Sequence, residues 1–115
     1  MATLVKIQDK NGTPIDETNA LPVALSGSNA LKGATATVTT ATTRVQLPDH
    51  ACREVTIIAK RTNTGYIYVG GSDVSSTVYG VQMAALDSIT LNVSNTNLIY
   101  IDSSVSLEGI SYVAI

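Results

Sequence analysis

From Arg44 to Ile115 the chain reads as short alternating runs separated by turn formers, with no capped amphipathic stretch that would make a helix. Residues 54–60 set Val55, Ile57 and Ala59 on one side and Glu54, Thr56 and Lys60 on the other. A period of two marks a half-buried strand, because successive side chains leave opposite faces of the pleat. Residues 66–69 alternate again and stop at Gly70-Gly71, and residues 88–93 (SITLNV) are half apolar and half polar throughout. Residues 98–101 and 109–115 complete the set, with Asn63-Thr64-Gly65 and Ser94-Asn95-Thr96-Asn97 as punctuation. Strands at roughly 8–12-residue spacing between turn signals indicate an antiparallel sandwich or barrel. The fold expected is all-β, a jelly-roll-like antiparallel sandwich. Its core should be Val55, Ile57, Ile67, Val69, Ile89, Leu91, Val93, Ile99 and Ile101, and truncating Leu91 to Ala should cost about 2–5 kcal/mol.

Ahead of Arg44 the regularity breaks down. Thr3-Leu4-Val5-Lys6-Ile7-Gln8 alternates and meets Asn11-Gly12, a pair that takes φ > 0 easily and suits a hairpin back through Thr13-Pro14-Ile15. Leu21-Pro22-Val23-Ala24-Leu25 follows, bordered by Ser26-Gly27-Ser28. Pro22 cannot donate to a ladder, so this phrase is an edge strand or an extended arm. Leu21, Pro22, Val23 and Leu25 are therefore candidate contact residues. Residues 34–43 are Thr-rich and low in complexity, a solvated strand or linker. The expected organisation is one domain: an N-terminal arm over residues 1–33 and a sandwich body over residues 34–115.

The 115 residues include 31 Leu, Ile and Val, enough for a core, but no Phe or Trp. Charged residues make up 14%, and the net charge is −2. A generic nucleic-acid binder carries a basic patch instead, so no nucleic-acid partner is expected. No apolar run approaches the roughly 20 residues that span a bilayer, and the first residues do not read as a secretory leader. No membrane partner is expected. A single cysteine, Cys52, leaves no internal disulfide to form. The sequons at Asn11 and Asn92 read as chance matches.

Reactive groups are few. His50 is the one histidine, in a turn beside Asp49 and two residues before Cys52. A Cys–His pair can act as a nucleophile, but here no third group orients the imidazole, and a strand-start cysteine is more often a small buried hydrophobe. Gly70-Gly71-Ser72-Asp73 lacks the alternating acids of a calcium loop and the helix of a phosphate cradle. Asp87 and Asp102 fall at strand ends, where Asp caps turns. No catalytic, metal or cofactor residues are assigned. Tyr66 and Tyr68 stand two apart, so both should leave one face of their strand, opposite Ile67 and Val69. An apolar ring with a polar tip suits a core rim or a subunit contact, and both are candidate interface residues.

Taken in order, Val45-Gln46-Leu47, residues 52–57 (CREVTI), residues 63–70 (NTGYIYVG), residues 86–91 (LDSITL), residues 98–101 (LIYI) and residues 110–113 (ISYV) resemble small β-sandwich proteins of tailed-bacteriophage virions. These comprise capsid decoration (cement) proteins and head-fibre or tail modules. The opening residues 5–12 (VKIQDKNG) and Leu21-Pro22-Val23 are similar to the way such proteins begin. The resemblance implies a structural role on the virion surface after synthesis in the host cytoplasm. It also implies a homo-oligomer, a trimer by preference, resting on the major capsid protein or other virion proteins. It brings no active-site residues and no cofactor. Two further classes compete: a head-fibre or tail module binding host-surface glycans, which only the tyrosines could serve, and an enzyme, which the thin reactive inventory disfavours.

Overall fold

The computed structural model describes residues 27–115, which form two four-stranded antiparallel sheets packed face to face. The strands are β1 (Lys32–Val38), β2 (Val45–Gln46), β3 (Val55–Ala59), β4 (Ile67–Gly70), β5 (Val81–Met83), β6 (Ser88–Leu91), β7 (Tyr100–Ser103) and β8 (Glu108–Ala114). One sheet runs β1-β8-β3-β6 and the other β2-β7-β4-β5. Consecutive strands thus alternate between sheets except at β4–β5, the eight-strand, two-sheet order of a jelly roll. The expected fold class is what the chain adopts.

Alternation explains the packing. Val55, Ile57 and Ala59 of β3 and Ile110, Tyr112 and Ala114 of β8 are buried on the inner face of the first sheet. From the second sheet Ile67, Val69, Met83 and Ile101 close against them. Leu47 and Ile99, just outside strands, are buried with them. Six of the nine expected core residues lie in this cluster, while Ile89, Leu91 and Val93 are only half-buried against it. The physical reason is position. Ile89 and Leu91 lie on β6, which among the described residues pairs only with β3, and Val93 lies just beyond it. Leu91→Ala should therefore cost about 1–2 kcal/mol rather than the full cavity penalty, whereas Ile57→Ala should cost about 3–4 kcal/mol. Urea melts of the two variants test the difference.

The boundary at residue 33 also shifts. β1 begins at Lys32 and runs in unbroken register with β8, Lys32 opposite Ala114 through to Val38 opposite Glu108. The first half of the Thr-rich zone, residues 34–38, is thus an integral strand rather than a solvated strand or linker, because its Ala and Val residues alternate with Thr, and residues 39–43 form a loop. Ala34, Ala36 and Val38 face the core, and Val38 is fully buried. Residues 98–101 are a partial miss: a 3-10 turn over Thr96–Leu98 leaves Leu98 exposed, and β7 starts at Tyr100.

Candidate functional site

Register places four loops at one end of the sandwich: residues 39–44, 60–66, 84–87 and 104–107. Cross-bonds tie three of these loops together and anchor the fourth, residues 84–87, to the end of β3. The Thr42 amide donates to the Ser103 carbonyl at 3.1 Å, and the Ala41 amide to Ser106 Oγ at 2.9 Å. Tyr66 and Ser104 exchange bonds, Tyr66 N to Ser104 Oγ at 2.9 Å and Ser104 N to the Tyr66 carbonyl at 3.1 Å. Leu86 N donates to the Ala59 carbonyl at 3.0 Å, and Asp87 Oδ2 accepts from Ala84 N at 2.9 Å. This matches the turn-capping role expected of Asp87. Leu107 N reaches the Val38 carbonyl at 2.8 Å.

At this loop end Tyr66, Leu86, Val105 and Leu107 stand exposed, Leu107 at 73%. Thr42, Leu86 and Leu107 are also the only non-glycine residues with positive φ among the described residues, at 64°, 69° and 68°. A bulky L-residue in the left-handed region costs about 1–2 kcal/mol, and glycine would avoid that cost. Two leucines held this way and mostly exposed gain little from burial that would offset the strain. Strain of this kind at exposed apolar side chains makes Leu86 and Leu107 candidate functional residues.

Beneath the loop end lies a polar clamp. Glu108, 8% exposed at the start of β8, accepts from Thr64 N at 2.6 Å, Thr64 Oγ1 at 2.8 Å and Gly65 N at 2.9 Å. Burial pushes its pKa up, but the three donors outweigh burial and leave the carboxyl below its ordinary range. Buried Asn63 pairs both ends of its amide with the Gly109 backbone, donating to the carbonyl at 2.8 Å and accepting from the amide at 3.2 Å. The turn Asn63-Thr64-Gly65 was legible in the sequence. Its partners Glu108 and Gly109, more than forty residues away, carry no local signal.

The two tyrosines part company. Tyr66 precedes β4 and is 46% exposed at the loop end. Tyr68 lies within β4, 7% exposed, and its ring packs against Tyr79 at 5.1 Å between centroids. Of the two roles expected for the pair, core rim or subunit contact, Tyr68 takes the first, because residues 71–80 fold back over the outer side of β4. Val74, fully buried, packs beside Gly70, and Gly80 N returns to the Val69 carbonyl at 2.8 Å. Tyr68 is thus no free contact residue. Tyr79, 43% exposed with its hydroxyl donating to Gln82 Oε1 at 3.1 Å, takes the surface place instead. Leu21, Pro22, Val23 and Leu25 lie outside the described residues.

His50 and Cys52 serve the backbone. The His50 amide donates to Asn95 Oδ1 at 3.0 Å, and its carbonyl accepts from Thr96 N at 3.0 Å. Cys52 Sγ donates to the Val93 carbonyl at 3.2 Å. Burial raises the Cys52 thiol pKa more than a backbone hydrogen bond lowers it, so the reactive thiolate is scarce at neutral pH. Cys52 also precedes β3 rather than opening it. Asp102 is buried within β7, its Oδ1 accepting from Ser103 N at 2.8 Å, rather than capping an exposed turn. Among the described residues no three His, Cys, Asp or Glu side chains gather closely enough to hold a metal ion. No family model, no curated protein and no solved structure matches the chain.

Proposed function

We propose that this protein is a non-enzymatic virion structural protein, a capsid decoration (cement) protein of a tailed bacteriophage that binds and stabilises the lattice of major capsid protein. The observation that carries the reading is the loop end, where Tyr66, Leu86, Val105 and Leu107 present apolar surface and where Leu86 and Leu107 are held in strained backbone. A protein that clamps neighbouring subunits needs a stiff surface of this kind, because a pre-ordered contact costs little entropy on binding. The jelly-roll strand order supports it by analogy, since viral capsid domains are built this way; so are lectin domains, and fold by itself does not decide function. The resemblance in strand and turn phrases points the same way. In this reading the protein is a homo-oligomer, a trimer by preference, and the arm containing Leu21–Leu25 adds a second contact.

Replacing Leu107 with Gly should leave the urea midpoint within about 1 kcal/mol of the parent, because relief of strain offsets the added freedom of the unfolded chain. The same change should weaken binding to undecorated capsids at least tenfold in a sedimentation assay. Imaging of intact virions tests the role itself. Hundreds of copies on the head agree with decoration, and their absence from the head sinks it. The alternative, a head-fibre or tail module binding host-surface glycans, rests on Tyr79, a half-open ring joined to Gln82. A few or a dozen copies per particle, with glycan binding lost in Tyr79→Ala, would favour it.

A further inference from the structure

The sandwich leaves one long backbone edge open among the described residues. Of the four outermost strands, β2 has two residues, β5 three and β6 four, whereas β1 has seven. Gly109 of β8 gives its carbonyl to Lys60 N at 3.0 Å, on the side away from β1. By antiparallel alternation, Gly109 and its opposite number Thr37 are then a pair that do not bond each other. Thr37, and with it Thr35 and Gly33, therefore turn N–H and C=O to the free edge. Lys32 is the one charge on this strand, and neither proline nor a bulge blunts it. Such an edge recruits another strand. On its core-facing side β1 offers only small residues there, Ala34 and Ala36, both half-buried. The apolar layer runs out early at this margin.

We propose that the free edge of β1 is the docking strip for the chain's own segment Thr3–Gln8, which adds a ninth strand with Val5 and Ile7 beside Ala34 and Ala36. Two apolar phrases precede β1, and chemistry separates them. If Leu21, Val23 and Leu25 faced the core, Pro22 would have to bond to β1, and proline has no N–H to give. In Thr3–Gln8 added antiparallel to β1 the bonding positions fall on Leu4, Lys6 and Gln8, each with its N–H. Lys6 would then stand on the solvent side of the new edge and blunt it. The tether from Asp9 to Leu31 has 23 residues. As a flexible chain it spans about 25–30 Å, close to the roughly 23 Å length of β1, so the segment meets its own edge before another copy's. The inference stands apart from the virion reading and refines it, leaving Leu21–Leu25 as the phrase free to engage a particle.

Amide exchange on the full chain tests it. The amides of Gly33, Thr35 and Thr37 should exchange at least tenfold more slowly in the parent than in Lys6→Pro, which removes a bonding N–H. Ile7→Asp, which puts a charge against Ala34 and Ala36, should also release them. In both variants Ile57 and Ile110 should stay protected. Four results overturn the proposal: fast exchange at the three amides in the parent, protection unchanged in both variants, protection that rises with protein concentration, or loss of protection throughout the body. The third would place a second copy on the edge, and the fourth would make the segment part of the cooperative core. Capsid binding by Lys6→Pro bears only on the virion reading, so the two can fail separately.

Discussion

Replacing Gly109 with alanine is expected to destabilise the body by about 3 kcal/mol or more, lowering the urea midpoint by about 2 M. A Cβ at residue 109 would run into the Ala36 carbonyl oxygen and come within 2.9 Å of the Thr37 Cα. Both obstacles are backbone, so no rotamer change relieves them. The strands can only separate, and that draws Val38, fully buried at the end of β1, toward solvent. It would also disturb the Asn63 amide that pairs with Gly109 on the other side. Gly33 supplies the control. It lies on the same β1–β8 ladder, opposite Val113, and a Cβ there meets nothing within 4 Å. Gly33→Ala should therefore be neutral, or stabilising by up to about 1 kcal/mol, since alanine loses less freedom on folding. Equal midpoints for the two variants would refute the close approach at Gly109.

Much of this architecture was legible in the residues, for a physical reason. β3 and β6 each have one wet face, and a wet face imposes the apolar–polar period that local reading detects. β4 shows where that reading stops. Both of its faces are covered, one by the core and one by residues 71–80, so spacing alone could not tell whether Tyr68 sits at the core rim or on a contact surface. β2 and β5, two and three residues long, are too short to display any period. β1 was only half legible: in KGATATV the core-facing residues are mostly alanine, too small to separate a buried-face strand from a solvated strand or linker. The loop end was missed for a different reason. Leu86 and Leu107 look unremarkable in sequence, and only backbone conformation and exposure mark them out. Tyr66 was singled out by its two-residue spacing from Tyr68, and it is exposed at the loop end while Tyr68 is covered.

The clamp at Glu108 should make the loop end sensitive to acid. Glu108→Ala removes an ionised acceptor from Thr64 N, Thr64 Oγ1 and Gly65 N at once. A hydrogen bond to a charged group contributes about 1.5–3 kcal/mol, but Thr64 is exposed and water can reach part of the turn, so the expected loss is about 2–4 kcal/mol rather than the full sum. Glu108→Gln keeps the shape but retains only one carbonyl oxygen, and turns an amide N–H toward one of the same donors. It should lose about half as much. The sign with pH follows from the lowered pKa in the folded state. The unfolded chain binds the proton more readily, so the contribution of Glu108 is fully present above the ordinary glutamate pKa of about 4.3. It fades as pH falls through the lower folded value. Urea melts from pH 7 down to pH 3 should therefore show the parent losing stability more steeply than Glu108→Gln, with the curves converging at the acid end. The bonds at Gly65 lie next to Tyr66, so protonation should also loosen the exposed loop end, and under the proposed decoration role capsid binding should weaken over the same range. Parallel curves for parent and Glu108→Gln would show that the carboxylate contributes no charge to the clamp.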